Sequence, residues 1–298
     1  MEENKPKIGF IGQGFIGKAY ADDFERRGHS IVRYALEEPY TNNAPLLQEC
    51  AIVFIAVPTP TTPTGFDYSI VQSVISHVPP AAIAVIKSTL ACGTTEALQD
   101  AYPDRIVLHS PEFLREVTAA HDAANPERNI IGMPKDTDSH RAGAKKVLDV
   151  LPKAPYELVC TSREAEYIKV AGNAYLFLKV IFANLMYDAT TQEGCNWEIV
   201  RQALGADSRI GASHLGVLHQ SGHPGATPGR GAGGHCLIKD FAALRMQYEK
   251  VMPNDTAGAQ VLRALECKNV HLLIDSEKDL DLLKGVYGDD PQKACENK

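Results

Sequence analysis

KIGFIGQGFIGKAYADDFERRG, residues 7–28, decides the fold. An apolar run, Ile8 to Ile11, leads into Gly12, Gly14 and Gly17, and a helical pattern follows as far as Gly28. In a strand–turn–helix of this kind Gly12 permits the tight turn, Gly14 lets backbone approach a pyrophosphate, and Gly17 lets the helix pack closely on the strand. The first-turn amides and the helix dipole attract phosphate. A second apolar stretch, His29 to Tyr34, comes next. The segment therefore reads as the opening of a dinucleotide-binding fold, with the cofactor held along Gly12, Gly14, Phe15, Ile16 and Gly17. The acidic residue expected about 20 residues beyond the glycines to bind the ribose falls at Ala35. Glu37 or Glu38 could substitute and Arg33 could accept a 2′-phosphate, so both NAD and NADP stay open.

Further apolar strands recur between helical segments: 51–57, 82–87, 105–108, 129–132 and 156–159, with helices expected over 68–77, 94–101 and 139–151. That alternation predicts an α/β fold with a doubly wound parallel sheet of the Rossmann type. Ligands of such sheets lie at the carboxyl ends of the strands, where this chain reads VPTP (57–60), KST (87–89) and HSPEFLRE (109–116). From Arg163 to about Glu193 the rhythm gives way to one long helical run, apolar over most of its circumference, which other helices or a second subunit must cover. Three regions follow: a Rossmann-type domain over 1–160, a smaller all-α domain over 161–275, and a polar, partly mobile end over 276–298.

The composition, 44% apolar with a formal net charge of −7 over 298 residues, suits two modest cores. No basic patch points to nucleic acid, and no unbroken apolar run or secretory leader points to a membrane or to export. Seven cysteines, at 50, 92, 160, 195, 236, 267 and 295, show neither CxxC nor Cys/His metal spacing. The expectation is reduced thiols, no metal and a cytoplasmic protein.

Two features carry chemistry in the second half. GAGGHCLIKD (231–240) sets Cys236 on a glycine-rich approach, with Lys239 and Asp240 just behind it. Glycines let a flat carbon come close, and cationic neighbours favour a thiolate, so Cys236 is the candidate nucleophile. A buried cysteine on a turn entering a helix is the plainer alternative. In the long helix, Lys169 and Asn173 share a face at i and i+4, and a lysine inside an apolar helix needs a partner or a task.

The strings GQGFIG, VPTP, KST, SPEFLRE, NPERNIIG, AEYIKVAGN, DSRIG and GAGGHCLIKD stand in the order of the motifs of the UDP-glucose/GDP-mannose dehydrogenase family, which this chain resembles over about residues 7–245. The resemblance implies NAD-dependent oxidation of the C6 alcohol of a nucleotide sugar to the carboxylate. It implies Cys236 as the nucleophile, Lys169 and Asn173 as oxyanion stabilisers, and Asp240 as an aid to water or proton movement. It also implies Glu116 as a helper in thioester hydrolysis and Thr89 at the nicotinamide or its water. Thr59, Thr89 and Glu116 would contact the cofactor. Glu112, Phe113, Leu114, Arg115, Lys169, Asn173, Arg209 and Gly233 would meet the substrate. Arg209 matches an arginine given to a neighbouring subunit, which with the apolar helix 163–193 points to a homodimer.

The chain departs from the family pattern in three places. A further α/β domain is missing after the central helix, the connection from Ala35 to Cys50 is short, and HQSGHPGATPGRG (219–231) reads as an inserted flexible loop. Two other readings thus stay open: a cofactor-binding homologue that no longer catalyses, and a two-domain β-hydroxyacid dehydrogenase, against which Cys236 argues.

Overall fold

The computed structural model describes residues 5–295; residues 1–4 and 296–298, the last three belonging to the expected polar end, lie outside it. The described residues divide into two compact units, 5–59 with 67–169 and 60–66 with 170–295.

The first unit is built on seven strands: β1 (Ile8–Ile11), β2 (Ile31–Tyr34), β3 (Ile52–Ile55), β6 (Ile83–Ile86), β7 (Ile106–His109), β8 (Arg128–Met133) and β9 (Tyr156–Thr161). Their order in the sheet is β2-β1-β3-β6-β7-β8-β9. β4 (Thr61–Thr62) and β5 (Gly65–Phe66) form a small antiparallel hairpin in the second unit. β1, β3 and β6 are buried along their whole length, as expected of strands read as short unbroken apolar runs. Helices α1 (Phe15–Arg26), α2 (Ser69–Ile75), α3 (Thr94–Ala101), α4 (Ala119–Ala124) and α5 (Asp138–Val150) connect them. Phe10, Phe24 and Phe54 meet in the core with ring centroids 5.3 Å apart.

The expected α/β, Rossmann-type sheet is present, with one departure from an all-parallel arrangement: it is mixed at one edge. β8 pairs antiparallel to β7, and β9 runs parallel to β8, so the last two strands oppose the other five.

α6 (Ser162–Gln192) begins in the first unit and continues into the second. Its length and composition would suffice to cross a membrane. In the second unit, however, it buries Ala174, Phe177, Val180 and Ile181 in a protein core with Phe241 and Leu272, and Phe177 stacks on Phe241 at 3.9 Å. α7 (Trp197–Ala206), α8 (Gly234–Val251), α9 (Thr256–Asp275) and α10 (Leu280–Tyr287) complete the unit.

Three corrections and one added detail concern this half. Residues 280–287, expected in a polar end, form α10, whose Leu283 and Val286 are buried against Ile238, Ala242 and Val270. α8 starts at Gly234, which puts Cys236 in the first turn of the helix and not on a turn leading into it. The stretch 219–231 is folded on itself by an antiparallel bridge between His219 and Gly229. Finally, two of the cysteines expected as thiols, Cys267 and Cys295, form a disulfide joining α9 to the last turn.

Candidate active site

The glycine turn is a cradle shaped by exclusion. Gly12 sits at φ +90°, and a Cβ there would collide with the carbonyl oxygen of Ala56; a Cβ at Gly17 would strike the carbonyl oxygen of Gly12. Around Gly14 there is open space, and α1 starts on it with no side-chain cap and no acidic residue in its first turn. Amides left for an outside anion, beside room for it, are what a pyrophosphate needs, so the residues present fit a dinucleotide. At the end of β2, Arg33 is already paired with Asp22 at 2.7 Å and Glu25 at 2.9 Å, which leaves its charge compensated. Glu37 and Glu38 are exposed.

The turns after β3 and β6 are stitched together. The Ser88 hydroxyl donates to the Val57 carbonyl at 2.7 Å and accepts from the Val57 amide at 3.0 Å, while the Thr59 hydroxyl donates to the Thr89 carbonyl at 2.8 Å. VPTP and KST are thus two halves of one rim.

Behind the rim lies a buried charge cluster. Lys169 donates to Glu112 Oε1 at 2.7 Å, and Glu112 Oε2 accepts from the Leu114 amide at 2.7 Å. The Phe113 ring lies 3.8 Å from the Arg128 guanidinium and 5.7 Å from the Lys169 ammonium. Lys87, also buried, reaches Ser110 Oγ at 3.2 Å, and its burial pushes its pKa down to about 7, with Glu112 opposing the shift. His109, wholly buried with Nδ1 on the Ile86 carbonyl, is pushed down to about 3 by the same desolvation. Sequence reading missed Lys87, His109 and also Glu166, whose buried carboxylate caps α3 by accepting from the Gly93 and Thr95 amides. All three lie in quoted strings, KST, HSPEFLRE and AEYIKVAGN, but none of them was given a role. Glu116 is not drawn into the cluster; it is half-buried at the start of a short 3-10 turn. Arg115 pairs with Asp122 instead of with either glutamate.

The remaining predicted residues belong to the second unit. Asn173 donates to Asp240 Oδ2 at 2.6 Å, and Lys239 to Asp240 Oδ1 at 2.5 Å, with Asp240 1% exposed. Cys236, half-buried, lies one helical turn before Asp240 on α8, preceded by Gly231 and Gly234 in the left-handed region at φ +89° and +79°. Gly233 caps that helix. Arg209 is exposed and folded back on Asp207 at 2.6 Å.

Residues 33–149 match the model of the NAD binding domain, and residues 163–269 the model of the central domain, of one and the same family. This chain belongs to the UDP-glucose/GDP-mannose dehydrogenase family. Its Rossmann-type unit is the family's NAD-binding domain. It is 32% identical over 206 residues to the UDP-glucose 6-dehydrogenase of Rhizobium meliloti, covering 65% of this chain and 45% of that one. It is 29% identical to UDP-glucose 6-dehydrogenase TuaD of Bacillus subtilis, covering 95% of this chain and 67% of that one. Among solved structures, a UDP-glucose dehydrogenase from Pyrobaculum islandicum superposes with a TM-score of 0.74 at 25% identity, over 92% of this chain and 72% of that one. The chain spans about half the length of several of the curated relatives it matches.

Proposed function

We propose that this protein is a cytoplasmic NAD-dependent dehydrogenase that oxidises the C6 alcohol of a nucleotide sugar of the UDP-glucose type to the uronic acid, with Cys236 as the nucleophile. The observation that carries this reading is the thiol of Cys236 in the first turn of a glycine-approached helix whose next turn bears Asp240, buried and holding Asn173 and Lys239. Bound NAD supplies the hydride acceptor, one molecule for each of two oxidations.

The chain's own groups do the rest. Gly12, Gly14 and Gly17 shape the pyrophosphate turn, and Thr59 and Thr89 hold the rim beside it. After the first oxidation the Cys236 sulfur bonds to the aldehyde carbon while the thiol proton passes to the oxygen, giving a thiohemiacetal. Loss of the second hydride and of the hydroxyl proton leaves a thioester. Water then adds to the carbonyl carbon, the carbon–sulfur bond breaks, and the thiol is restored as the carboxylate leaves. Asn173, aimed by Asp240, and Lys169, held by Glu112, would stabilise the oxyanion, and Glu116 would assist the attacking water. Glu112, Phe113, Leu114, Arg115, Arg209 and Gly233 are the proposed substrate contacts.

We further assign 1–160 to the cofactor, 161–275 to catalysis and dimerisation, and the dimer to α6. Ala171, Tyr175, Leu178, Phe182, Leu185 and Ala189 follow a four-three spacing along that helix, and Tyr175 and Phe182 are more than half exposed. Such a seam suits a second copy of the same helix.

Incubation with NAD and a panel of UDP- and GDP-sugars, following NADH, tests the reading. Two NADH per sugar, and a Cys236→Ser variant that stalls after the first, would support it. NAD binding without turnover on any sugar would favour the non-catalytic homologue.

A further inference from the structure

We propose that Asp279 and Lys278, in the connection between α9 and α10, are positioning residues for Cys236; this rests on the reading of Cys236 as the nucleophile. α8 starts on glycine and has no cap from its own side chains. The missing cap arrives from 45 residues further along the chain: Asp279 Oδ2 accepts from the Gly234 amide at 2.7 Å. The same oxygen accepts from Ser221 Oγ at 2.5 Å, and Oδ1 faces His223 Nε2 at 2.9 Å. Lys278 donates to the Gly231 carbonyl at 3.0 Å and meets His219 Nε2 at 2.9 Å. Between these two anchors, Asn269 holds both the amide and the carbonyl of Ala232, at 2.7 and 3.0 Å.

The backbone leading into the thiol, Gly231 to Gly234, is therefore tied to α9 and the turn after it. Gly233 has no room for anything larger, because a Cβ there would run into the Asp279 carboxylate. Lys278 and Asp279 are 0% and 5% exposed, and Glu277 and Asp279 adopt φ of +52° and +51°. Two buried charged side chains on a turn whose non-glycine residues Glu277 and Asp279 are left-handed persist only where their surroundings hold them, and such positions cluster at functional sites. Three residues before Cys236, at the N-cap position Gly233, a helix would normally be capped locally by Ser, Asp or Asn, but the space such a side chain would fill is already taken by Asp279, Lys278 and Ser221. Capping from behind leaves the front of the loop bare. The charged and titratable groups round this loop include His219, His223, His235, Lys278 and Asp279, with His214 acting on His219, Asp281 on His223, and Lys239 and Asp240 one turn further along α8; the His223 and His235 rings lie 5.1 Å apart.

Below about pH 8, the value to which burial lowers the Lys278 ammonium, the two residues carry opposite charges at one helix N-terminus, and there their loss moves the thiol in opposite directions. The test is the pH profile of Cys236 alkylation by iodoacetamide, read by mass spectrometry with exposed Cys195 as reference, in the full chain. Removing the carboxylate charge with Asp279→Asn should lower the apparent thiol pKa by roughly half a unit, and removing the ammonium with Lys278→Met should raise it by a similar amount. Simple loosening would shift both variants the same way. In NADH formation, each variant should lose about tenfold or more in kcat while the KM for NAD stays within about twofold, as displacement of a reacting group predicts. Profiles for both variants that overlay the wild type, or that shift in the same direction, would overturn the assignment. Should one variant fail to fold, the sign of the other's shift still decides. A wild type that makes no NADH with any sugar removes the proposed function, while the alkylation profiles still report on the clamp.

Discussion

Lys169 Nζ stands 2.7 Å from Glu112 Oε1 with both side chains no more than 4% exposed, so the pair is a buried ion pair and each partner depends on the other. Two charges taken out of water recover much of their desolvation through each other, and deleting one leaves the survivor buried without its ion-pair partner. Glu112→Ala and Lys169→Met should each destabilise the protein by about 3–5 kcal/mol. The double variant Glu112→Leu/Lys169→Met should cost clearly less than the two together. Urea unfolding measures this; additive losses would show that the two groups are not coupled.

Lys87 gives a pH dependence with a definite sign. Its ammonium is buried beside Ser110 and 4.4 Å from the Tyr20 ring, and desolvation lowers its pKa to about 7 from the usual 10.5. Between those two values the unfolded chain holds a proton that the folded chain has lost, so this residue makes stability rise with pH across that window. Below pH 7 both states are protonated and its burial costs most. Lys87→Met should therefore be more stable than the wild type at pH 7, with the advantage shrinking steadily toward pH 10. A gap that stays constant with pH would mean Lys87 keeps an ordinary pKa.

The Cys267–Cys295 disulfide closes a loop spanning 28 positions and ties the last described turn to α9. Reduction should lower stability by about 2–4 kcal/mol, seen as a drop in thermal midpoint with dithiothreitol. Cys295→Ser should reproduce the drop and then ignore the reductant. If dithiothreitol leaves the wild-type midpoint in place, the cross-link contributes nothing.

Much of this was legible in the chain. Each core strand is a short apolar run bounded by turn residues, and the glycine spacing fixed how the first of them meets its helix. Strand direction was not, since β8 carries the same apolar pattern whichever way it runs, and only its register with β7 shows it to be reversed. α10 was hidden because the charges around 277–290 mask Leu283 and Val286, a helical pair too short to stand out. The start of α8 was missed because Gly233 and Gly234 are poor helix formers and their cap comes from Asp279, far along the sequence. Cys236, Lys169, Asn173 and Asp240 were named from motif strings, whereas the second-half bonds of Asp240 and the burial of Lys87, His109 and Glu166 exist only as contacts.

The three glycines of the first turn separate folding from binding. At Gly12, φ of +90° and the Ala56 carbonyl exclude any side chain, so Gly12→Ala should cost at least about 1–2 kcal/mol from backbone strain alone, before the collision is counted. Gly17→Ala keeps ordinary backbone but drives its methyl into the Gly12 carbonyl, and should also lower the thermal midpoint. Gly14→Ala meets nothing within 4 Å, so the protein should fold as the wild type does. The open space there is where a pyrophosphate would approach α1, and a methyl group in it should weaken NAD binding by about tenfold, or about 1.4 kcal/mol. Calorimetric titration with NAD, set beside the melting curve, reads both effects. A Gly14→Ala protein that melts normally and binds NAD as tightly as the wild type would place the pyrophosphate away from this turn.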